Sequence, residues 1–504
     1  MDFLANYDQG ALLPLLVSCA ALAFLFVIST RVKPGSPPSP LRLPIIGHIH
    51  HMSKRPHRAL QKLAQKYGPL MLVKVGPVPF YIVSSAKLAR EISKSEDTSI
   101  PARPRLKAAN VLFPGHRDLI FSPYGHFWRH ARKICVNELL SLKRVLSFHH
   151  IREQEVAKMA EVLRCNKPSS PVNLGSMFVK LADTIVRKAV LGEKYGGDEC
   201  SKLVGELARN AADLVSGPCL GDYFPMLSWF DTLTGHTAKA KRTSQGWNKF
   251  LDQVIDEHQA RPGHAVARLD DAKDFVDILL QLQKEDTVGL ELTRENIKSI
   301  LVDMFVGSID TSAAIMEWIM AELAKHPTIM KKVQEEIRRV VGDKKKIDEQ
   351  DFQHMEYYQC VIKESLRLHG PSTMARQTSS ATTLGGFDIP GDTTVFINLW
   401  AIQRDPMLWE KPLEFKPERF LNTSHGFKGQ DDKYFPFGMG KRICPGSQFA
   451  LSEVEYAIAN LLCWFDWKLP EGVKLEDLDM RDTFALVTRK ESPLQLVPSL
   501  HKAV

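Results

Sequence analysis

Residues 434–450 read YFPFGMGKRICPGSQFA, and no other stretch limits the possible fold so tightly. A lone cysteine is more often a small buried hydrophobe than a ligand. Cys444, however, sits among Gly438, Gly440 and Gly446, with Pro445 directly after it. Glycines let a backbone turn sharply and let a flat macrocycle approach closely, and Pro445 leaves one fewer backbone donor to satisfy. Free backbone N–H groups aimed at a sulfur stabilise thiolate and tune its donation to a metal. Arg442 can reach an anionic group on the rim of such a ligand. From Ser447 onward (SQFALSEVEYAIANLLCW) the pattern turns helical, so Cys444 precedes a helix N-terminus whose positive dipole end favours S⁻. The other seven cysteines (19, 135, 165, 200, 219, 360 and 463) form no Cys-x-x-Cys pair, which indicates neither a zinc site nor a disulfide framework.

A chain of 504 residues, 44% hydrophobic and 25% charged, has a globular composition. Its net charge of +8 is a mild bias over that length. It suits an acidic protein or an anionic membrane and does not call for nucleic acid. Residues 11–30 (ALLPLLVSCAALAFLFVIST) form twenty residues without charge. At ~1.5 Å rise per residue they cover a ~30 Å hydrocarbon core. Asp2 and Asp8 precede the run and Arg31 and Lys33 follow it, so the positive-inside rule keeps the bulk of the chain cytosolic. A cleaved secretory signal would want basic residues before the run. Five prolines then fall within eleven residues, Pro34 to Pro44, an extended semi-rigid joint. The expected organisation is an anchor over 1–32, a proline-rich hinge over 33–47 and one catalytic body over 48–504. Leu70–Val75 followed by Phe80–Val83 predicts a hairpin. Thr328–Val341 predicts a helix opened by Pro327, stopped by Gly342 and laced by Lys331–Glu335 and Lys332–Glu336. The fold class is mainly α with a small β region.

Phe437-x-x-Gly440-x-Arg442-x-Cys444-x-Gly446 resembles the haem-binding signature of the cytochrome P-450 family at every defining position. The resemblance implies the cytochrome P-450 fold around a buried haem b. Cys444 is then the axial iron ligand, and Phe437, Gly438 and Arg442 stand among the cofactor-binding residues. In that family the thiolate pushes electron density onto the iron and promotes O–O cleavage. Glu364-Ser365-Leu366-Arg367 resembles the family's Glu-x-x-Arg, and Pro417-Glu418-Arg419-Phe420, 50 residues on, its partner. The implied Glu364–Arg367–Arg419 network is structural. Trp128-Arg129-His130-Ala131-Arg132 resembles the family's Trp-x-x-x-Arg, whose i,i+4 spacing lets Trp128 and Arg132 reach one haem propionate. Arg376 is a third propionate candidate.

Leu301 to Ser312 (LVDMFVGSIDTS) predicts a long buried helix with a poor helix-forming centre. On the bland reading, Ser and Thr only bond back to carbonyls one turn earlier and bend the helix. On the reading the resemblance implies, small residues open a groove for dioxygen while Thr311 and Asp310 relay protons to it. Ser308 stands where the family usually has glycine, so an extra hydroxyl enters that groove.

Asp274-Phe275-Val276-Asp277-Ile278-Leu279-Leu280, the Pro-Pro-x-Pro strut and Ala102-Arg103-Pro104 look like the plant microsomal A-type branch, the large seventy-one clan. That likeness implies a monooxygenase of the endoplasmic reticulum membrane. It inserts one oxygen atom of dioxygen into a small hydrophobic specialised metabolite, a terpenoid first, then a phenylpropanoid or alkaloid. No Gly-x-Gly-x-x-Gly or flavin-like domain is present, so NADPH electrons are expected from a partner NADPH–cytochrome P-450 reductase, to which a basic surface would suit an acidic partner. By family position the substrate-lining candidates are Phe113, Met304, Phe305, Thr373, Met374, Phe484 and Leu486. The segment from His369 to Arg376 looks about two residues shorter than usual for the branch, which alters the pocket wall. Two other readings remain: a haem-thiolate isomerase or dehydratase, and a non-catalytic haem-binding electron-transfer membrane protein.

Overall fold

The expected hairpin forms from two β-rich runs separated by Gly76-Pro77. Strands β1 (Leu70–Val75) and β2 (Val78–Val83) pair antiparallel from Leu70↔Val83 to Val75↔Val78, with the second strand starting two residues earlier than the sequence suggests. This computed structural model describes Ser18, then residues 35–94, 100, 102–217, 219–261, 273–285, 289, 291–344, 346–423, 425–427, 432–484 and 487–501. Apart from Ser18, the expected membrane span lies outside the described residues, as do Leu486 and the start of the proline-rich hinge. The later part of that hinge lies on the body. Leu72 N–H donates to the Pro38 carbonyl at 2.9 Å, and Ser39 Oγ donates to the Leu72 carbonyl at 2.8 Å.

Helices dominate the rest of the chain: α1 (His126–Ile134), α2 (His149–Arg164), α3 (Leu174–Leu191) and α4 (His236–Gln259) precede the long α5 (Arg294–Lys325). The α5 start is capped by Thr293, whose side chain accepts from Asn296 N–H at 3.3 Å. Its centre is apolar nearly all round, the pattern of a helix covered on every side. By length and composition α5 is long and apolar enough to cross a membrane, yet most of that stretch is buried in the core against α3.

Helix α6 (Pro327–Val341) begins with Pro327 and stops at Gly342 (φ +55°), as the sequence predicts. Lys331 and Glu335 approach to 3.8 Å on the exposed face. The expected Lys332–Glu336 pair does not form. Glu336 instead accepts the backbone N–H groups of Tyr357 (2.9 Å) and Tyr358 (2.7 Å), orphan donors at the start of α7 (Glu356–His369), and Lys332 turns to Glu418 at 3.0 Å. Satisfying those donors outweighs a solvated pair worth only a few tenths of a kcal/mol.

After α7 the chain returns to the sheet as β3 (Met374–Gln377) and β4 (Thr394–Ile397). The strand order is β1-β2-β4-β3, with β4 parallel to β2 and antiparallel to β3. Last comes α8 (Ser447–Trp464), packed against α5, α2 and α6. The main core lies between α3, α5, α7 and α8, and a smaller one backs the sheet. The site lies where α5, α8, α1 and the end of β3 meet.

Candidate functional site

The segment before α8 closes on itself. Cys444 N–H donates to the Phe437 carbonyl at 3.0 Å, and Gly438 N–H to the Phe435 carbonyl at 3.2 Å. Gly438 holds φ +78°, a left-handed backbone that side chains resist, and a Cβ there would meet Met374 Sδ at 3.3 Å. This turn leaves the Cys444 sulfur facing an internal cavity of about 360 Å³. Cys444 therefore has accessible surface, and that surface faces this cavity. Burial pushes its thiol up, and the Gly446 backbone N–H with the nearby Arg132 and Arg103 guanidiniums pulls it back toward thiolate. Phe437, Gly438, Arg442, Pro445 and Gly446 line the cavity beside it.

Cations crowd one rim. Arg103, Arg132 and Arg442 all line the cavity, and Arg376 is buried just behind them. Burial lowers each guanidinium; Arg103 is brought to about 10 and Arg442 to about 9. Mutual repulsion adds to this for Arg376 and Arg442. Among the described residues neither Arg103, Arg132 nor Arg376 forms a carboxylate ion pair; they settle for carbonyls such as Ala375 (3.2 Å from Arg103) and Ile443 (2.5 Å from Arg132). A buried cation cluster of this kind fits an anionic rim, as haem propionates would present. Trp128 lines the cavity beside Arg132, as its spacing suggests. Its indole N–H donates to the Leu119 carbonyl at 3.0 Å, and its ring lies under Arg442 (4.5 Å) and beside Arg132 (5.4 Å). Here it orients the two arginines through their faces.

Across the cavity runs α5, presenting Met304, Gly307, Ser308, Thr311 and Ser312. A Cβ at Gly307 would meet nothing within 4 Å, so the helix is open there. Thr311 Oγ1 donates to the Gly307 carbonyl at 2.8 Å, and the Ser308 hydroxyl donates to Met304 O. Both hydroxyls are therefore bonded back along the helix while facing the cavity. Asp310 is turned away from the cavity and pairs with Arg489 at 2.5 Å. Burial pushes its carboxyl up, opposed by Arg489 and Arg209.

The structure brings Glu364, Arg367 and Arg419 together behind the loop. Arg367 bonds both Glu364 oxygens (2.7 and 2.8 Å), and Arg419 reaches Glu364 Oε1 at 2.9 Å. Of the substrate-lining candidates, Met304, Thr373 and Met374 line the cavity. Phe305 does not: it stacks on Trp247 of α4 at 5.3 Å, because neighbouring residues on a helix point about 100° apart. Phe113 packs against Phe121, and Phe484 stacks on the buried His57. The sequence marks Arg103 only within the Ala102-Arg103-Pro104 segment and not as a site residue. Sequence reading passed over Asp303, the one charge between Lys298 and Asp310 in an otherwise uncharged stretch of α5, which lines the cavity and accepts Leu119 N–H at 2.5 Å. A charge in such a run is a visible signal. For Ala314, Ile315 and Val487, which also line the cavity, no signal existed.

The profile of the Cytochrome P450 family matches residues 37–497. Phenylacetaldehyde oxime monooxygenase of Prunus mume is 44% identical over 502 residues, covering 97% of this chain and 94% of that protein. Cytochrome P450 71A1 of Persea americana is 44% identical over 463 residues, covering 90% and 91%. Tabersonine/lochnericine 19-hydroxylase of Catharanthus roseus is 40% identical over 491 residues, covering 96% of each. A zebra fish cytochrome P450 solved with progesterone superposes with a TM-score of 0.75 at 23% identity, over 88% of this chain and 99% of that one.

Proposed function

The chain belongs to the cytochrome P450 family, a monooxygenase with haem as its cofactor, and on that premise we propose that it oxygenates a small hydrophobic plant specialised metabolite above Cys444 with NADPH electrons passed from a membrane-bound reductase. The observation that carries this reading is one cavity joining three features: a cysteine sulfur at its floor, buried arginines on its rim and an opened helix above. Haem held there supplies dioxygen activation at its iron. Cys444 would hold the haem iron, and the α8 dipole and Gly446 N–H favour its thiolate. Arg103, Arg132 and Arg442, with Arg376 behind them, would hold the propionates, and Trp128 braces Arg132 and Arg442. Phe437 and Gly438 border the ring, and the Glu364–Arg367–Arg419 network fixes the loop from behind. Thr311, its hydroxyl already aligned on the Gly307 carbonyl, hands protons into the groove. Asp310 serves it from the Arg489 side. Met304, Thr373 and Met374 shape an apolar wall that excludes water and orients the C–H bond.

The 11–30 span followed by Arg31 and Lys33 supports an endoplasmic reticulum anchor (1–32), a hinge (33–47) and a cytosolic body (48–504). Exposed Ile45 (86%) with Met226 (92%), Trp229 and Leu233 adds an apolar face. Gly47 bridges Val75, and Phe224 abuts Gly76, so both stretches border the β1–β2 turn on one side of the body. This is the side the anchor would bring to the bilayer.

Phenylacetaldehyde oxime is the first compound to test, with terpenoid, phenylpropanoid and alkaloid panels beside it. Full-length protein with reductase and NADPH under ¹⁸O₂ is expected to give a product carrying one ¹⁸O. Product formed without dioxygen or reductase would instead mark an isomerase or dehydratase.

A further inference from the structure

Asp482 and Thr483 pair with Lys490 and Arg489 in an antiparallel hairpin only two residues deep. So short a pair does not hold itself together in water, and its place must be set from outside. The returning strand is fixed to α5. Arg489 pairs with Asp310 at 2.5 Å, the Lys490 ammonium lies 5.0 Å from the Trp318 ring, and the Trp318 indole N–H donates to the Thr488 carbonyl at 2.8 Å. Between the two strands the chain puts Val487 on the cavity wall.

The leading strand is fixed elsewhere, by the helix Pro56–Tyr67 that follows the proline-rich hinge. Asp482 is 2% exposed, and three basic side chains reach its carboxylate: Arg55 Nε at 3.2 Å, His57 Nε2 at 3.1 Å and Arg58 Nη2 at 2.5 Å. Arg55 also donates to the Asp482 carbonyl at 2.7 Å and reaches Glu491 at 3.0 Å. The buried His57 ring carries Phe484 stacked on it at 5.8 Å, and Asn398, just past β4, donates to the His57 carbonyl at 2.9 Å. A buried ion cluster adds little to stability, and its best-attested use is to fix register. Register matters here. A slip of one residue turns every side chain of a strand to the other face, and a slipped hairpin would carry Val487 off the cavity wall.

We propose that Asp482 is a positioning residue for substrate choice: clamped by Arg55, His57 and Arg58, it sets the register of the hairpin and so how far Val487 reaches into the cavity. The inference deepens the proposed function and rests on its reading of this cavity as the substrate site. Asp482 does not itself line the cavity and acts only through the hairpin. The ligands it governs are those whose apolar end extends from the Cys444 side of the cavity to the Val487 wall. A ligand too small to reach that wall does not feel the clamp.

The test uses full-length holoprotein titrated optically with azoles that bind haem iron. Imidazole is the small probe; 4-phenylimidazole and its longer biphenylyl analogue extend toward the walls. In Asp482→Asn and in Val487→Ala, affinity for the longer probes relative to imidazole is expected to fall roughly 5- to 20-fold, about the effect of one misfitted methylene in an apolar pocket. Imidazole itself should hold its affinity. The double variant should lose no more than either single one, because both changes act at one wall. Asp482→Glu, which keeps the charge, should recover most of the selectivity. If Asp482→Asn fails to take haem, Arg58→Met at the partly exposed edge of the clamp is read in its place. Equal weakening of imidazole and the longer probes marks a purely structural residue and overturns the proposal. Unchanged ratios in either single variant, or additive losses in the double, overturn it too. The proposed function is judged separately, by the ¹⁸O₂ product. A wild type that oxygenates nothing sinks that reading while the titration still decides the clamp, and a working enzyme with unchanged ratios sinks the clamp alone.

Discussion

Behind the cysteine loop, Glu364 accepts four hydrogen bonds, from Arg367 twice, from Arg419 and from Lys416 N–H, all between 2.7 and 2.9 Å. Across the cavity, Asp303 leaves one oxygen without a partner and Ser312 leaves its hydroxyl so. Both regions are buried and polar. The first is saturated, which in a low-dielectric interior makes a rigid frame. The second holds its groups at a cost in stability. One wall is a rigid frame, and the other carries Thr311, the residue to which proton delivery is assigned.

The most damaging way to break the comparison is to remove the group that the rigid wall exists to hold. Cys444→Ser is expected to abolish the red-shifted ferrous–carbon monoxide band completely, since only a thiolate ligand produces it. Retention of that band would make another cysteine the ligand and strip the loop of its role.

Next in size is the frame itself. Glu364→Ala leaves Arg367 and Arg419 buried without their anion, and breaking such a network costs about 3–5 kcal/mol. We expect little folded holoprotein and a large drop in the thermal midpoint. Ser312→Ala should cost far less, because its hydroxyl has no full hydrogen bond to lose. Equal losses at both sites would erase the distinction between the walls.

This same distinction governs what the sequence reveals. The rigid wall is spelled in contiguous signs: the glycines around Cys444, Glu364 and Arg367 three apart, Arg419 after Pro417. Saturated geometry demands particular residues at fixed spacing, so it leaves a pattern. Helix α6 was legible for the same reason, down to its proline start and glycine stop, and only the partner of Lys332 was misjudged, because the open N–H groups of Tyr357 and Tyr358 are not visible in one dimension. The Thr311 wall was half legible. Gly307, Ser308 and Thr311 face the cavity as their spacing suggests, whereas Phe305 and Asp310 sit on the same helix pointing elsewhere. Rotation about a helix packed on all sides has no amphipathic stripe to betray it. Arg103 earned its surroundings only through tertiary contact.

A third prediction uses adjacent residues to test that rotation. Met304→Ala should weaken the spectral binding of a hydrophobic ligand while holding most of the stability. Phe305→Ala should leave ligand binding nearly intact and lose about 3–5 kcal/mol, read as the thermal midpoint, because it empties a stack on Trp247. The reverse pattern would mean that α5 is turned by about one residue.

Smaller again is Thr311→Ala. Reduced protein should still bind dioxygen and consume NADPH, with more peroxide and less product per NADPH, since the propionate arginines and Cys444 are untouched. General acid assistance reaches ~10²–10⁴-fold where it has one donor. Thr311→Ala should raise peroxide per NADPH within that range. Unchanged coupling in Thr311→Ala would remove Thr311 from proton transfer.

The smallest effect belongs to Ser308→Gly, the substitution that restores the residue usual for the family. The Ser308 hydroxyl donates to Met304 O just as that of Thr311 donates to Gly307 O, so the resting bonds do not separate the two. The smaller effect is expected because Ser308 stands where the family usually has glycine, which relays no proton. Peroxide per NADPH should therefore move by less than about twofold, far below the change at Thr311, whose loss is judged against the ~10²-fold scale of a general acid. Stability should fall by roughly 0.5–1 kcal/mol, the cost of glycine within a helix. Oxygen binding is the sharper measurement: freeing the Met304 carbonyl, with two glycines then in succession from Gly307, lets α5 bend there and widen the groove. If Ser308→Gly instead uncouples the enzyme as strongly as Thr311→Ala, the hydroxyl is a working proton donor. Proton delivery would then reach one turn further along α5 than Thr311.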